Sequence, residues 1–586
     1  MPSLSRPQLA AVCLSAAAVL SACAQAPAKS PVARAAAEQQ ARPPRPVPRP
    51  PREEPLPRQE LTAQILYQTM LAEIAAQRGQ ADFAVRAYLD LAKTTRDPRI
   101  ARRAAELALF SRDLASAVQA AKLWVEFDPG SAQARQTLAG MLVAANRLEE
   151  LVPHVTQLLA QEGDSLGEGL LRLNRLFARQ QDKKAVLGVI DTLTAPYLGL
   201  AEAHFARAEA AAAADLFDRA LEEIDQALVL RPDWEQAVIF KAEVQRRDSV
   251  ASALDTLRRH LGRYPLAREV RLTYARALAG DRQFEEARRE FQRLMADFPE
   301  SDDVAYAVGI LSLQLKDYPM AEEVFKKLLA VDYGESNNIR IYLGQIAEER
   351  KRYGEALNWY SQVTAGPQFV SAQVRYANAL ARSGKLEEAR RHLQQAAATG
   401  PAERVQYQLA EAQLLRENGK VREAFDFLQA LLAAQPNQPD LLYETAMLAE
   451  KLERMDILEA HLRKLIEIKP DHAHAYNALG YSLADRNQRL DEAQQLIAKA
   501  LELAPEDAFI LDSMGWVLFR KGDHQGALGY LQKAFALRAD PEIAAHLGEV
   551  LWTLGRREEA ARTWREAAKE HPDNEALAKV IKRFNP

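Results

Sequence analysis

The strongest constraint on this chain is a period. Alanine or leucine recurs every 33 to 35 residues, at Ala84, Ala117, Leu151, Ala185, Ala220, Ala253, Ala287, Ala321, Ala356, Ala389, Ala424, Leu458, Ala493, Ala527 and Ala560. Four residues further on, the better units carry a large side chain, as in Tyr88, Phe291, Phe325, Tyr360, Leu531 and Trp564. Twelve residues on, a proline closes the unit at Pro129, Pro232, Pro265, Pro299, Pro401, Pro436, Pro470, Pro505 and Pro572. No single window carries this signal; the spacing does. A unit this short cannot bury its apolar face alone, so about fifteen of them must stack on one another.

Each unit reads as two amphipathic helices. The first carries apolar side chains at helical spacing, as in Tyr476, Leu479 and Leu483. Gly480, Gly515 and Gly548 provide a small surface for close approach of the partner helix, which answers with the anchor alanine and the large residue one turn later. Proline then stops the second helix, because it lacks an amide proton and crowds the residue before it. Asp97-Pro98 and Asp540-Pro541 read as an N-cap followed by a first-turn proline, opening the next helix. The pattern resembles the tetratricopeptide repeat, with its 34-residue period and small residues at the eighth, twentieth and twenty-seventh places. That resemblance implies an all-α fold, a right-handed α-solenoid of about fifteen helix pairs over residues 61–586 in one elongated superhelix. The family's aromatic at the fourth place is missing from many units, and the third and fourth units, about residues 132–196, are degenerate.

The first residues are different. "MPSLSRPQLAAVCLSAAAVLSACAQ" has one basic residue, Arg6, and an apolar stretch from Leu9 to Leu20 that is too short to span a bilayer. It suits the core of a secretory signal over residues 1–22. Leu20-Ser21-Ala22-Cys23 resembles the lipobox of bacterial lipoproteins. That resemblance implies cleavage before Cys23 and acylation of its thiol and new amine, and two or more acyl chains hold a protein stably on a membrane. Ala24, rather than an aspartate, implies an outer-membrane lipoprotein facing the periplasm. Residues 23–60 then form the lipidated cysteine and a tether rich in proline and arginine, extended or disordered, with a reach on the order of 100 Å at about 3.1 Å per residue.

Charge and cysteine content exclude several function classes. The tether carries Lys29 and six arginines against four glutamates, net +3, while the body from Leu61 has 68 basic and 76 acidic residues, net −8. The chain as a whole is at −4, which gives no field that would hold nucleic acid. The two cysteines, Cys13 and Cys23, both precede the body, so neither a disulfide framework nor a cysteine-ligated metal site is available to it.

No catalytic constellation emerges, and no cofactor or metal is expected. Gly480-Tyr481-Ser482-Leu483-Ala484 departs from the nucleophile-elbow pattern at its last residue and falls mid-helix, where the strained turn cannot form. His472 and His474 beside Asp471 are candidate metal ligands by type, but residues two apart on a helix do not share a face. Carboxylate pairs such as Glu285-Glu286 and Glu558-Glu559 read as solvated helix starts. The chain is expected to be non-catalytic.

What a solenoid offers is surface. In the last three units the first-helix positions beyond the core stripe are His474, Asn477 and Tyr481; Phe509, Asp512, Trp516 and Phe519; and Glu542, Glu549 and Trp552. Large aromatics there are candidate anchors for a peptide or helix, the competing role being packing against a neighbouring unit or a closing helix. Some family members grip carboxyl termini with Lys, Arg and Asn in this groove; Asn477 fits that set, whereas Tyr481, Asp512 and Trp516 do not. "NALGYSLAD", "ILDSMGWVLF" and "DPEIAAHLGEVLW", with the lipobox and tether, resemble the proteobacterial outer-membrane tetratricopeptide lipoproteins. That group includes a lipoprotein adaptor of a periplasmic carboxyl-terminal processing protease, and the resemblance implies a scaffold binding that protease and peptidoglycan hydrolases. The alternative is an assembly lipoprotein of an exopolysaccharide-export or secretion/pilus system.

Overall fold

The anchor residues define the fold almost by themselves. In the computed structural model, which describes Pro57 and residues 60–584 apart from Pro401, the second helix of each pair places its anchor as its fourth residue. Ala84 in Ala81–Thr95, Ala287 in Phe284–Asp297 and Ala560 in Arg557–Glu570 are examples. Fourteen of the fifteen predicted anchors are at most 2 % exposed. The exception is Ala185, which is exposed: Asp182 caps Lys183–Thr194 by accepting from the Ala185 amide, so the fourth position and the buried place fall to Val186. The expected register there is corrected by one residue. The signal segment, Cys23 and nearly all of the tether lie outside the described residues.

Among the described residues there are thirty-one α-helices and no strand. They form fifteen pairs, from Ala63–Gln77 with Ala81–Thr95 to Pro541–Thr553 with Arg557–Glu570, followed by a closing helix Glu575–Phe584. The chain is an α-solenoid. The degenerate stretch also forms pairs: Leu148–Gln161 stays helical around Pro153, and short 3-10 turns at Gly163–Ser165 and Ala195–Tyr197 absorb the altered spacing.

Local chemistry explains the boundaries. Asp128, Arg231, Tyr264, Phe298, Gln435, Lys469, Ala504 and His571 each end a second helix and each precede a proline. Their ψ angles of 63 to 82° lie outside the helical region, as the clash with the proline ring requires. Asp97 and Asp540 cap the helices opened by Pro98 and Pro541, accepting from the amides of Arg99 and Glu542 at 2.9 Å. In most pairs the turn between the two helices uses a left-handed residue. Gly79, Gly384, Gly419, Gly522 and Gly555 supply it in some pairs; Arg112, Asn146, Asp215, Arg282, Lys316, Lys351, Glu453 and Asn487 adopt it in others.

The described chain divides into two compact units between Leu311 and Ser312, inside helix Asp302–Gln314. In the N-terminal unit an alanine-rich core runs from Ala72 to Ala220, followed by Phe205 against Trp234 at 4.8 Å. In the C-terminal unit successive cores form around Tyr360, Leu393, Leu428, Ile497 and Trp564.

Candidate partner-binding face

Three first helices of the C-terminal unit, Ala473–Asp485, Ala508–Arg520 and Pro541–Thr553, pack side by side. Each is drawn close to its own partner helix at a glycine. A Cβ on Gly480 would meet Ile497 Cγ1 at 2.6 Å, and one on Gly515 would meet Leu531 Cγ at 2.5 Å; on Gly548 it would collide with the Trp564 indole. The residue after each glycine faces away from that contact: Tyr481, Trp516 and Glu549.

These three positions converge on a residue that the sequence did not single out, His546. Its Nδ1–H donates to both carboxylate oxygens of Asp512 at 3.0 Å. Trp516 stacks on its ring with centroids 4.1 Å apart, and the Tyr481 ring lies 6.2 Å away. Burial alone would push the imidazole down, but the Asp512 carboxylate, with Glu549 and Glu542 beyond it, lifts it above the ordinary histidine value. Burial pushes Glu549 up, against the pull of Arg583 at 3.4 Å and of His546. Burial likewise raises Glu542. Tyr481 is held well above the usual tyrosine range by burial and by the charges of Asp485, Asp512, Glu542 and Glu450.

The expected groove residues fall into two groups. Tyr481, Asp512, Trp516, Phe519 and Glu549 gather around His546, with Phe519 5.3 Å from Trp516. Asn477, one turn before Tyr481, is half-buried and its Oδ1 has no hydrogen-bond partner. Others lie apart. His474 is exposed and makes an edge contact with His472, which itself caps its helix by accepting from the Ala475 amide. Phe509 lies under the Arg538 guanidinium at 4.8 Å. Trp552 turns toward the closing helix, 5.9 Å from Trp564 and 5.5 Å from Phe584. His546 escaped notice because it sits one residue off the groove stripe. Its signal was the pair of acids four residues before and three after, Glu542 and Glu549, which share its helix face.

Neither Ser513 nor Ser482 stands free beside the His546–Asp512 pair. Ser513 donates its hydroxyl to the Phe509 carbonyl at 2.9 Å, and Ser482 is buried against Met455 and Arg486. Among the described residues no group of three or more His, Cys, Asp and Glu could hold a metal ion, and no helix is long and apolar enough to cross a membrane. The arrangement can stack, accept and donate hydrogen bonds, and hold charge.

Comparison with known proteins agrees with the repeat geometry. Tetratricopeptide-repeat family profiles match residues 272–335, 309–368 and 374–439, then 473–507, then 518–583. A TPR repeat-containing protein of Pseudomonas aeruginosa is 32 % identical over 488 residues, covering 83 % of this chain and 82 % of that relative. Among solved structures, a thermophilic TPR protein of Thermus thermophilus is 23 % identical, covering 31 % of this chain and 99 % of its own, with a TM-score of 0.29. The APC/C hetero-tetramer Cut9–Hcn1 is 17 % identical, covering 83 % of this chain and 97 % of its own, with a TM-score of 0.28. On the repeat period, the helix pairs and the Pseudomonas relative, this chain belongs to the tetratricopeptide-repeat family.

Proposed function

We propose that this chain is a non-catalytic, membrane-anchored adaptor that recruits a carboxyl-terminal processing protease and presents peptidoglycan hydrolases to it. The coarser part follows from the family: tetratricopeptide repeats make a protein-interaction scaffold. The observation that carries the reading furthest is the face around His546, where aromatic rings stand beside polar atoms that no described residue satisfies. Such a face is suited to a peptide or helix that brings both apolar side chains and backbone groups. The finer reading is supported by the lipobox ending at Cys23, the Pro-Arg tether and the layout resemblance to outer-membrane tetratricopeptide lipoproteins. Two clients on one scaffold meet at an effective concentration of roughly millimolar, which is how an adaptor without chemistry of its own accelerates turnover.

Cys23→Ser should release the protein from the membrane fraction; a variant that still sediments with outer membranes after a salt wash removes the anchor from the reading. A tagged chain pulled from solubilised membranes should bring down a protease and a wall hydrolase. In a purified mixture hydrolase turnover should rise only when protease and lipoprotein are both present. Unchanged turnover ends the adaptor reading and favours the export-assembly alternative.

A further inference from the structure

The face around Tyr481, Trp516 and His546 gathers carboxylates, and several of them make no direct ion pair. Negative charge from Glu450, Asp485, Asp512 and Glu542 converges on Tyr481, and those acids lie on four successive first helices. Asp512 is paired with His546 and Glu549 with Arg583. Glu450, Asp485 and Glu542 make no direct ion pair among the described residues, although Arg486 and Lys451 lie near enough to Glu450, and His546 near enough to Glu542, to favour their charge. Arg520 donates to the Asp485 carbonyl at 3.0 Å and stands over the Trp516 ring at 5.8 Å, where its charge acts on Glu549 and leaves Glu450, Asp485 and Glu542 without a direct ion pair. Burial raises both Glu450 and Glu542, the expected response of carboxylates drawn from water without a full counter-charge.

Acidic residues alone would be solvated. Here a second feature stands beside them. Trp516 is only 6 % exposed, and its indole N–H has no acceptor. Asn477 Oδ1 is likewise buried with no donor. A buried polar atom left without a partner is unfavourable, and a ligand that completes the bond relieves that penalty. An extended peptide offers a carbonyl and an amide for those two atoms. A cationic side chain between them would meet the carboxylates that lack an ion pair and the Tyr481 ring, while Trp516 is already occupied by His546 and Arg520.

We infer that this face takes a partner segment presenting a lysine or arginine side chain flanked by apolar residues. The inference rests on the reading of this face as a partner-binding surface, and supplies its chemistry. A carboxyl terminus would instead place negative charge against Asp485 and Glu542, so the charge selects against it.

The test uses the full chain in detergent and fluorescein-labelled nonapeptides with one leucine-and-alanine frame and a central lysine, arginine, methionine or glutamate, read by fluorescence anisotropy. The lysine and arginine peptides should bind about tenfold more tightly than the methionine peptide, and the glutamate peptide should bind most weakly. Asp485→Asn with Glu542→Gln should erase the preference for lysine over methionine while leaving methionine-peptide binding in place. Trp516→Phe, which removes the N–H and keeps a ring, should weaken every peptide several-fold while the chain keeps its helical circular-dichroism spectrum. Equal binding of lysine and glutamate peptides, tighter binding of glutamate, binding of none, or a preference that survives the double variant each overturns the proposal. If the charge preference is absent but protease and hydrolase still co-purify, the peptide chemistry is wrong and the adaptor reading stands. If the preference holds and nothing co-purifies, the reverse is true.

Discussion

Trp516 and Trp564 sit in neighbouring aromatic clusters of the same unit, and they are used in opposite ways. Trp564 is fully buried; its indole N–H donates to the Ala545 carbonyl at 3.3 Å, and its ring stacks between Trp552 at 5.9 Å and Phe584 at 5.4 Å. Gly548 is there to admit it. Trp516 also lies against a ring, that of His546, but its N–H has no acceptor. One cluster is closed, with the Trp564 donor answered and a closing helix over it. The other is open, with hydrogen-bonding capacity and negative charge in reserve. Residue type does not separate the two uses; the fate of the indole proton does.

The closed cluster should be the more expensive to disturb. Trp564→Ala removes the largest fully buried side chain of the last pair and should cost the C-terminal repeats about 3–5 kcal/mol. Because a solenoid unit contacts only its neighbours, amide hydrogen exchange should show the loss in the last pairs and little change in the N-terminal unit. Uniform loss of protection would show that the closed cluster does not act locally. Gly548→Ala tests the same packing from the other side: its Cβ would strike the Trp564 ring, and overpacking there should cost about 1–3 kcal/mol by urea midpoint.

Matched changes sharpen the contrast. Trp564→Phe should cost about 1 kcal/mol more than Trp516→Phe, since both leave a gap in a buried ring stack but only the first breaks a made hydrogen bond. Equal costs by urea unfolding would mean that the open cluster is structural after all.

The smallest effect expected is a pH dependence at His546. Its folded pKa is raised above the ordinary value, with Asp512 and the more distant Glu549 and Glu542 overcoming burial. The stabilisation is therefore fully present below the unfolded histidine value, near 6.5, and is lost as pH rises through the folded value. His546→Gln should thus be more destabilising relative to the parent at pH 6 than at pH 9. Glu542 and Glu549, whose raised values act with the same sign in a lower window, are pulled down by His546 and so shift further up in the variant. A deficit that grows toward pH 9 would show that the histidine is held neutral.

The repeat architecture was legible in the sequence because it is written redundantly. The anchor position, the residue before each proline and the caps at Asp97 and Asp540 depend on local sterics and on contacts that recur every 33 to 35 residues, so one unit corrects the reading of the next. Where a unit was weak the reading slipped, by one residue at Ala185, because a capping bond from Asp182 and not the period sets that helix start. The binding face obeys no such rule. Whether Trp516 or Trp552 faces the open cluster, and that His546 joins Asp512 from the next pair, depends on single side chains meeting across a helix–helix contact. Those meetings occur once, so no period announces them. Sequence alone determined that these helices pair and stack; only the tertiary structure decided which of their side chains were left without partners, since that depends on what every neighbouring helix brings to the same few ångströms.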